Sequence, residues 1–181
     1  WGGIHPTIDP KGCLEFADFV CVGEGELAVE KLLNNLDNFK EVAGIWYKED
    51  NKVMAGRNGQ LVIDINSLPY PDYDLNTQYI IHQKKLIPLS VDILRQYSPA
   101  TRGDHRVMSS RGCPHSCTYC CSSIFKDLYH GHYLRMRSVD NFVGEMVEIK
   151  NKFPFVKFFK IMDDSLVVNK VEWLEEFNKQ Y

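Results

Sequence analysis

The stretch Ser110-Arg-Gly-Cys-Pro-His-Ser-Cys-Thr-Tyr-Cys-Cys-Ser122 constrains this chain more than any other. Cys113, Cys117 and Cys120 stand at C-x3-C-x2-C spacing inside a short polar loop. An isolated C-x2-C could close a disulfide, seed a redox motif or supply half of a zinc site. Three thiols so crowded cannot all pair among themselves, and crowding of this kind favours a polynuclear iron centre. Gly112 and Pro114 allow the loop to curl so that the thiolates point inward. The competing reading is structural zinc, held by Cys113, Cys117, Cys120 and either His115 or Cys121. Zinc sites usually pair two knuckles, and no second knuckle follows downstream. Cys121 fits no slot of the iron pattern and is read as a packed thiol.

The spacing resembles the radical S-adenosylmethionine (SAM) superfamily, whose signature is C-x3-C-x-aromatic-C. Tyr119 fills the aromatic slot, and Arg111-Gly-Cys-Pro is similar to the lead-in of its cobalamin-linked and methylthiotransferase-like branches. The resemblance implies that the three thiolates bind three irons of a [4Fe–4S] cluster, with the fourth iron open to SAM. It also implies reductive cleavage of SAM to methionine and a 5′-deoxyadenosyl radical. A protein's part in such chemistry is positioning and the exclusion of water and oxygen.

Composition sets the frame. The chain has 181 residues, 44% apolar and 25% charged, which is globular in character and suggests one or two domains. No apolar run is long enough to span a membrane and no signal-peptide pattern is present. Six cysteines, three of them committed to metal, point to a reducing cytoplasm rather than a disulfide scaffold. Residues 1–60 carry ten acidic and six basic side chains, whereas residues 95–137 carry seven basic and two acidic ones. The basic excess around the cysteines suits an anionic cluster and a carboxylate-bearing ligand. Nucleic acid is a weaker explanation, because no interleaved aromatic–basic pattern continues away from the cysteines. Beginning at Trp1-Gly-Gly and ending inside a helical pattern, the chain is expected to be an internal stretch of a longer protein.

From the N-terminus, Gly2-Gly-Ile-His-Pro-Thr7 reads as a strand end turning into a loop, and Asp9-Pro10 as the cap and first residue of a short helix. Asp18–Val22 reads as a strand, Gly23-Glu-Gly-Glu26 as its loop, and Leu27, Leu32, Leu33 and Leu36 as the apolar set of a helix ending near Asn38. Such strand–helix alternation predicts a parallel, doubly wound sheet with ligands at the strand carboxyl ends. The loops around Gly2, Gly3 and His5 and around Gly23, Glu24 and Gly25 are similar to the last two strand ends of the cobalamin-binding domain that precedes many radical SAM domains. In that family they face the nucleotide tail of the cofactor, which places His5 along the tail and not under cobalt. Read on residues alone, Glu24 and Glu26 could simply favour a positive helix N-terminus, and His5 could be an ordinary loop histidine. Ala43–Lys48 and Lys52–Ala55 read as a hairpin with Trp46 and Tyr47 on opposite faces.

Pro69 and Pro71 hold residues 61–75 extended, like the inter-domain linker of the same family. Leu86–Leu94 reads as a strand-like run interrupted by Pro88. Arg106–Ser110 is expected to be the first barrel strand, and Ser122–Arg137 a connection rich in aromatic and basic side chains. Ser138 should cap a helix striped by Val139, Phe142, Val143, Met146 and Val147, ended by Pro154. Phe155–Met162 reads as a buried parallel strand, and Asn169 as the opening of a helix carrying Val171, Leu174, Phe177 and Tyr181. This βαβα order predicts the start of a (β/α) barrel. In the superfamily the second strand often ends in Gly-Gly-Glu against the SAM amino group; here that place reads Met162-Asp163-Asp164. The resemblance makes Asp163, and secondarily Asp164, candidate SAM contacts; two solvated loop carboxylates are the alternative.

Taken together, the expected fold is α/β: the C-terminal part of a doubly wound, Rossmann-like cobalamin domain with its hairpin (residues 1–58), a linker (59–104) and the first βα units of a radical SAM barrel (105–181). The implied cofactors are a [4Fe–4S] cluster, SAM and cobalamin. The implied activity is methyl transfer or radical cyclisation and rearrangement on a small-molecule or lipid-like substrate, with a reductant such as flavodoxin or ferredoxin. A methylthiotransferase-like enzyme and a zinc or iron–sulfur nucleic-acid module are the alternatives.

Overall fold

A computed structural model of the chain describes residues 1–97, 103–130, 134–166 and 171–181. It forms two compact units: Trp1–Ile63 together with Gly112–Arg135, and Asp64–Arg111 together with Met136–Tyr181. Among the described residues no helix is long and apolar enough to cross a membrane.

In the first unit, Trp1 lies beside strand β1 (Phe19–Cys21). The Trp1 nitrogen donates to Phe19 O at 2.8 Å, and Cys21 N donates to Trp1 O at 2.8 Å. The two bonds straddle Val20 in the parallel pattern. The chain then departs from the sequence expectation. Ile4–Ile8 is a short helix, α1, rather than a loop. Gly3 at φ 105° turns the chain, and Pro6 falls in the first helical turn, where its missing N–H costs nothing. Helix α2 (Pro10–Cys13) is capped as expected, with the Asp9 carboxylate accepting from Gly12 N at 3.0 Å.

Helix α3 (Glu26–Asn34) stops short of the expected Asn38, because the backbone of Asn35 leaves helical geometry and a 3-10 stretch, Leu36–Glu41, follows. Its core face is Ala28 and Leu32, while Leu33 and Leu36 are exposed. Strands β2 (Ile45–Glu49) and β3 (Lys52–Met54) form the expected hairpin, closed by Asp50 and Asn51 with both φ values positive, the twist-matched two-residue turn. β2 also pairs antiparallel with β1, with Val20 opposite Trp46. Among the described strands this sheet, in the order β1-β2-β3, is therefore antiparallel where the strand–helix alternation predicted parallel pairing; the parallel contact on it is that of Trp1 with β1.

In the second unit, 3-10 turns at Ile65–Ser67 and Leu75–Thr77 are capped by Asp64 and Asp74, and they punctuate the extended, Pro-rich stretch. β4 (Tyr79–His82) and β5 (Lys85–Pro88) form a hairpin, and α4 (Val91–Tyr97) follows, so Leu86–Leu94 is not one strand-like run. The turn residues Gln83 and Lys84 take positive φ without being glycine or asparagine, which hid the hairpin from the sequence. The first barrel-type strand is β6 (Asp104–Val107), ending before the expected Ser110; the short strands β7 (Ser110–Arg111) and β8 (Arg135–Met136) and helix α5 (Ser122–Leu128) come next in the chain.

Helix α6 (Val139–Lys152) is capped by Ser138, whose hydroxyl accepts from Asn141 N at 3.2 Å. Its buried stripe is Val139, Phe142, Met146 and Ile149, and the expected Val147 faces solvent. Phe153 and Val156 close this core together with Trp173 of α7 (Val171–Gln180). The expected helix start at Asn169 lies outside the described residues. Strand β9 (Phe158–Ile161) pairs parallel with β6, Val107 opposite Ile161. It is not buried on both faces: Phe158 is exposed, and only alternate residues turn inward.

Candidate iron–sulfur and cofactor site

The cysteine loop belongs to the first unit. Gly112 enters it at φ 97°, a backbone region L side chains rarely adopt, and turns the chain into Cys113. Cys120 N donates to Cys117 O at 3.0 Å, so the last two cysteines of the spacing flank a tight turn. Helix α5 starts directly afterwards, with Cys121 at its N-cap position and the Ser123 hydroxyl donating to Cys120 O at 2.8 Å. Lys126 of α5 reaches back over the loop, its ammonium donating to Pro114 O at 3.1 Å and to the Ser116 hydroxyl at 2.8 Å. None of the cysteines is in a disulfide; Cys113 and Cys120 are half-buried, Cys117 and Cys121 exposed.

A structural zinc ion holds each thiolate at about 2.3 Å from one centre. Among the described residues no three His, Cys, Asp or Glu side chains close on a single ion in that way. A cluster asks less of the loop, since each thiolate meets its own iron. Three cysteines free of disulfides on one curled loop, with a lysine clasping that loop, are a donor set of the right chemistry for it. Tyr119 stands fully out from the loop, at 91% exposure.

The same unit carries the two glycine loops. Thr7 is buried and links them: its hydroxyl donates to Gly3 O at 2.8 Å and accepts from Gly23 N at 3.0 Å. Gly2, Gly3, Gly23 and Gly25 line one open groove of about 390 Å³ with Trp1 and Val29. His5 and Glu24 lie outside that lining. The His5 ring packs edge-on to Trp1, with centroids 5.3 Å apart. The Glu24 carboxylate takes both terminal nitrogens of Arg135, one at 2.9 Å, in a nearly buried bidentate pair. Glu24 N donates to the Tyr129 hydroxyl at 2.7 Å, and burial pushes that phenol above its ordinary pKa. Thr7, Lys126, Tyr129 and Arg135 were not singled out from the sequence. The aromatic and basic character of residues 122–137 was the available signal, but nothing local told which acid or amide each would meet.

In the second unit, the carboxyl ends of β6 and β9 lie side by side, with Met162 N donating to Val107 O at 2.9 Å. Asp163 turns its carboxylate onto the segment leading to the cysteines. It accepts from Ser109 N at 2.7 Å, from the Ser110 hydroxyl at 2.8 Å and from the Ser109 hydroxyl. Asp164 is exposed. A separate pocket of about 250 Å³ is lined by the Pro-rich stretch and by Arg106, Arg111, Arg137, Asn141 and Glu145. There Glu145 pairs with Arg137 and accepts from the Tyr73 hydroxyl; burial, then that bond, raise the Tyr73 phenol.

No family model matches the sequence. An uncharacterised methyltransferase of Pyrococcus horikoshii is 30% identical over 176 residues, covering 93% of this chain and 34% of the relative. An anaerobic magnesium-protoporphyrin IX monomethyl ester cyclase of Synechocystis is 26% identical over 185 residues, covering 97% of this chain and 32% of the relative. The chain thus spans about a third of the length of the curated relatives it matches. Among solved structures, the radical SAM methyltransferase TsrM of Kitasatospora setae, with tryptophan and a SAM analogue bound, superposes at TM-score 0.64 and 12% identity, over 99% of this chain and 32% of that one. A second structure of TsrM holds cobalamin and a [4Fe–4S] cluster. The cobalamin-dependent SAM radical enzyme OxsB, with aqua-cobalamin and SAM bound, superposes at 0.60 and 17% identity, over 99% of this chain and 23% of that one. The chain thus shares the fold of these two cobalamin-dependent radical SAM enzymes, as the resemblance implied.

Proposed function

We propose that the protein bearing this chain is a cobalamin-dependent radical SAM methyltransferase. The observation that carries the reading is the Cys113, Cys117 and Cys120 loop, free of disulfides and set within a fold shared along nearly its whole length with TsrM. In this reading those thiolates hold a [4Fe–4S] cluster, which supplies the electron for reductive cleavage of SAM. Tyr119 flanks the cluster as the aromatic residue of the motif. Asp163, with Asp164 beside it, meets the SAM amino group while holding Ser109 and Ser110 in place. The groove of Gly2, Gly3, Gly23 and Gly25 receives the nucleotide tail of cobalamin, with His5 and Glu24 at its margin.

On this reading, residues 1–58 complete a cobalamin domain, 59–104 link it onward, and 105–181 begin the barrel. The substrate is a small or lipid-like molecule, the reductant a flavodoxin or ferredoxin, and the compartment the cytoplasm. Radical ring formation is the second reaction class, favoured by the cyclase relative. Anaerobic iron–sulfide reconstitution of the full-length protein tests the assignment. Broad visible absorbance, about four irons per chain and SAM cleavage under dithionite are expected. A colourless protein carrying zinc would overturn it.

A further inference from the structure

Three side chains that follow the cysteine loop connect it, link by link, to the glycine loop of the proposed cobalamin groove. Lys126 holds the loop at the Pro114 carbonyl and the Ser116 hydroxyl from α5. Tyr129, just past the end of α5, accepts the Glu24 N–H at 2.7 Å. Gly23 lies flush against that ring: at φ 91°, a Cβ there would fall 2.1 Å from the Tyr129 hydroxyl. Arg135 then grips the Glu24 carboxylate with both terminal nitrogens and donates to Val62 O at 2.7 Å. Glu24 and Arg135 are 111 residues apart in sequence.

We propose that Lys126, Tyr129 and Arg135 are positioning residues that brace the cysteine loop against the Gly23-Glu24-Gly25 loop and so fix the separation of the cluster from cobalamin. The inference rests on the reading above, in which those loops hold those two groups. A buried ion pair is a poor way to gain stability, since apolar side chains of similar volume often serve as well or better. What a bidentate arginine–carboxylate pair does supply is fixed geometry. Geometry is what a two-cofactor reaction needs, because a misplacement of about 1 Å can cost on the order of a hundredfold in rate. The surroundings fit a brace rather than a contact with ligand. Tyr129 and Arg135 are both buried, and neither lines the glycine groove.

The test uses the full-length protein reconstituted with cluster and hydroxocobalamin, and needs no substrate. Tyr129→Phe removes one link without changing shape; Arg135→Gln removes the ion pair. Pulsed electron paramagnetic resonance between the reduced cluster and Co(II) reads their separation, and hydrogen exchange reads the amides of residues 23–25. Both variants should load iron and cobalamin as the wild type does. Their distance distribution should shift or broaden by about 1 Å or more, and in Tyr129→Phe the Glu24 amide should exchange roughly tenfold faster or more, as loss of its one hydrogen bond predicts. Full loading with an unchanged distance distribution would overturn the brace, even if melting temperature fell. If Arg135→Gln does not fold, Tyr129→Phe alone decides. A wild-type protein that loads neither group would instead overturn the proposed function, and the brace with it.

Discussion

Asp163 accepts the Ser109 backbone N–H at 2.7 Å, although 54 residues separate them in sequence. Parallel pairing of β6 and β9 makes this bond, because strands in one register end side by side and the first residues past their ends must meet. The same carboxylate takes the hydroxyls of Ser109 and Ser110, both fully buried. It thereby anchors the two residues from which the chain proceeds to Arg111, Gly112 and Cys113.

Asp163→Ala leaves a buried N–H and two hydroxyls without that acceptor. Chemical denaturation should show a loss of about 1–3 kcal/mol, the usual cost of one stranded buried donor. Asp163→Asn retains an acceptor for Ser109 N and should recover part of it. On the proposed function, Asp163→Ala in the full-length protein should also weaken SAM binding while iron content holds. SAM affinity equal to wild type in a folded Asp163→Ala variant would remove the aspartate from the SAM site and leave it only the anchoring role.

On the proposed function, replacing Cys113, Cys117 or Cys120 singly by Ala in the full-length protein should abolish the cluster absorbance and SAM cleavage, since each would remove one iron ligand. Cys121→Ala should do neither, because Cys121 falls outside the C-x3-C-x2-C spacing and its side chain makes no capping bond at the start of α5. Iron analysis and the visible spectrum after anaerobic reconstitution decide. A cluster lost in Cys121→Ala and kept in one of the other three would reassign the ligands.

Arg137, just before α6, and Glu145 within it form a nearly buried pair, and the Tyr73 hydroxyl completes it from the Pro-rich stretch. Removing one member strands a buried charge, so Glu145→Gln should cost about 3–5 kcal/mol in unfolding free energy. Tyr73→Phe should cost less, about 0.5–1.5 kcal/mol for a neutral partner of the network. Equal losses in the two variants would mean that the Arg137 charge is not what Glu145 compensates.

Where chemistry sits on consecutive residues, the sequence was read well. The Asp9-Pro10 and Ser138 caps and the hairpin joined around Glu49-Asp50-Asn51 all rest on local rules, and all three local structures formed. Long-range pairing was legible only where a strand pattern implied it, as for β6 beside β9. Other features failed for identifiable reasons. Gly3 turned the chain into α1 where two glycines suggested a loop, and Leu33 and Leu36 matched an apolar stripe yet found no partner. The Glu24–Arg135 pair and the Tyr129 bond to Glu24 N were out of reach of sequence. Neither residue type nor spacing specifies a partner more than a hundred positions away.

His105 is half-buried among Tyr73, Phe153 and Phe159, stacked on Phe153 with centroids 6.4 Å apart. Burial lowers its pKa below the ordinary 6.5, an effect only partly offset by the negative charge of Glu145. The unfolded chain therefore binds the His105 proton more readily than the folded one, so this histidine favours folding fully only above about pH 6.5. As the pH falls from there through the lowered folded value, protonation places a charge among aromatic rings and that contribution is lost. His105→Phe keeps the stacking and cannot take up the proton. Comparing unfolding free energies at pH 8 and pH 5.5 should show wild type losing more stability on acidification than His105→Phe. The carboxylates titrate in both proteins and largely cancel in the difference. An identical pH slope in the two proteins would show that His105 is solvated enough to charge freely in the folded state.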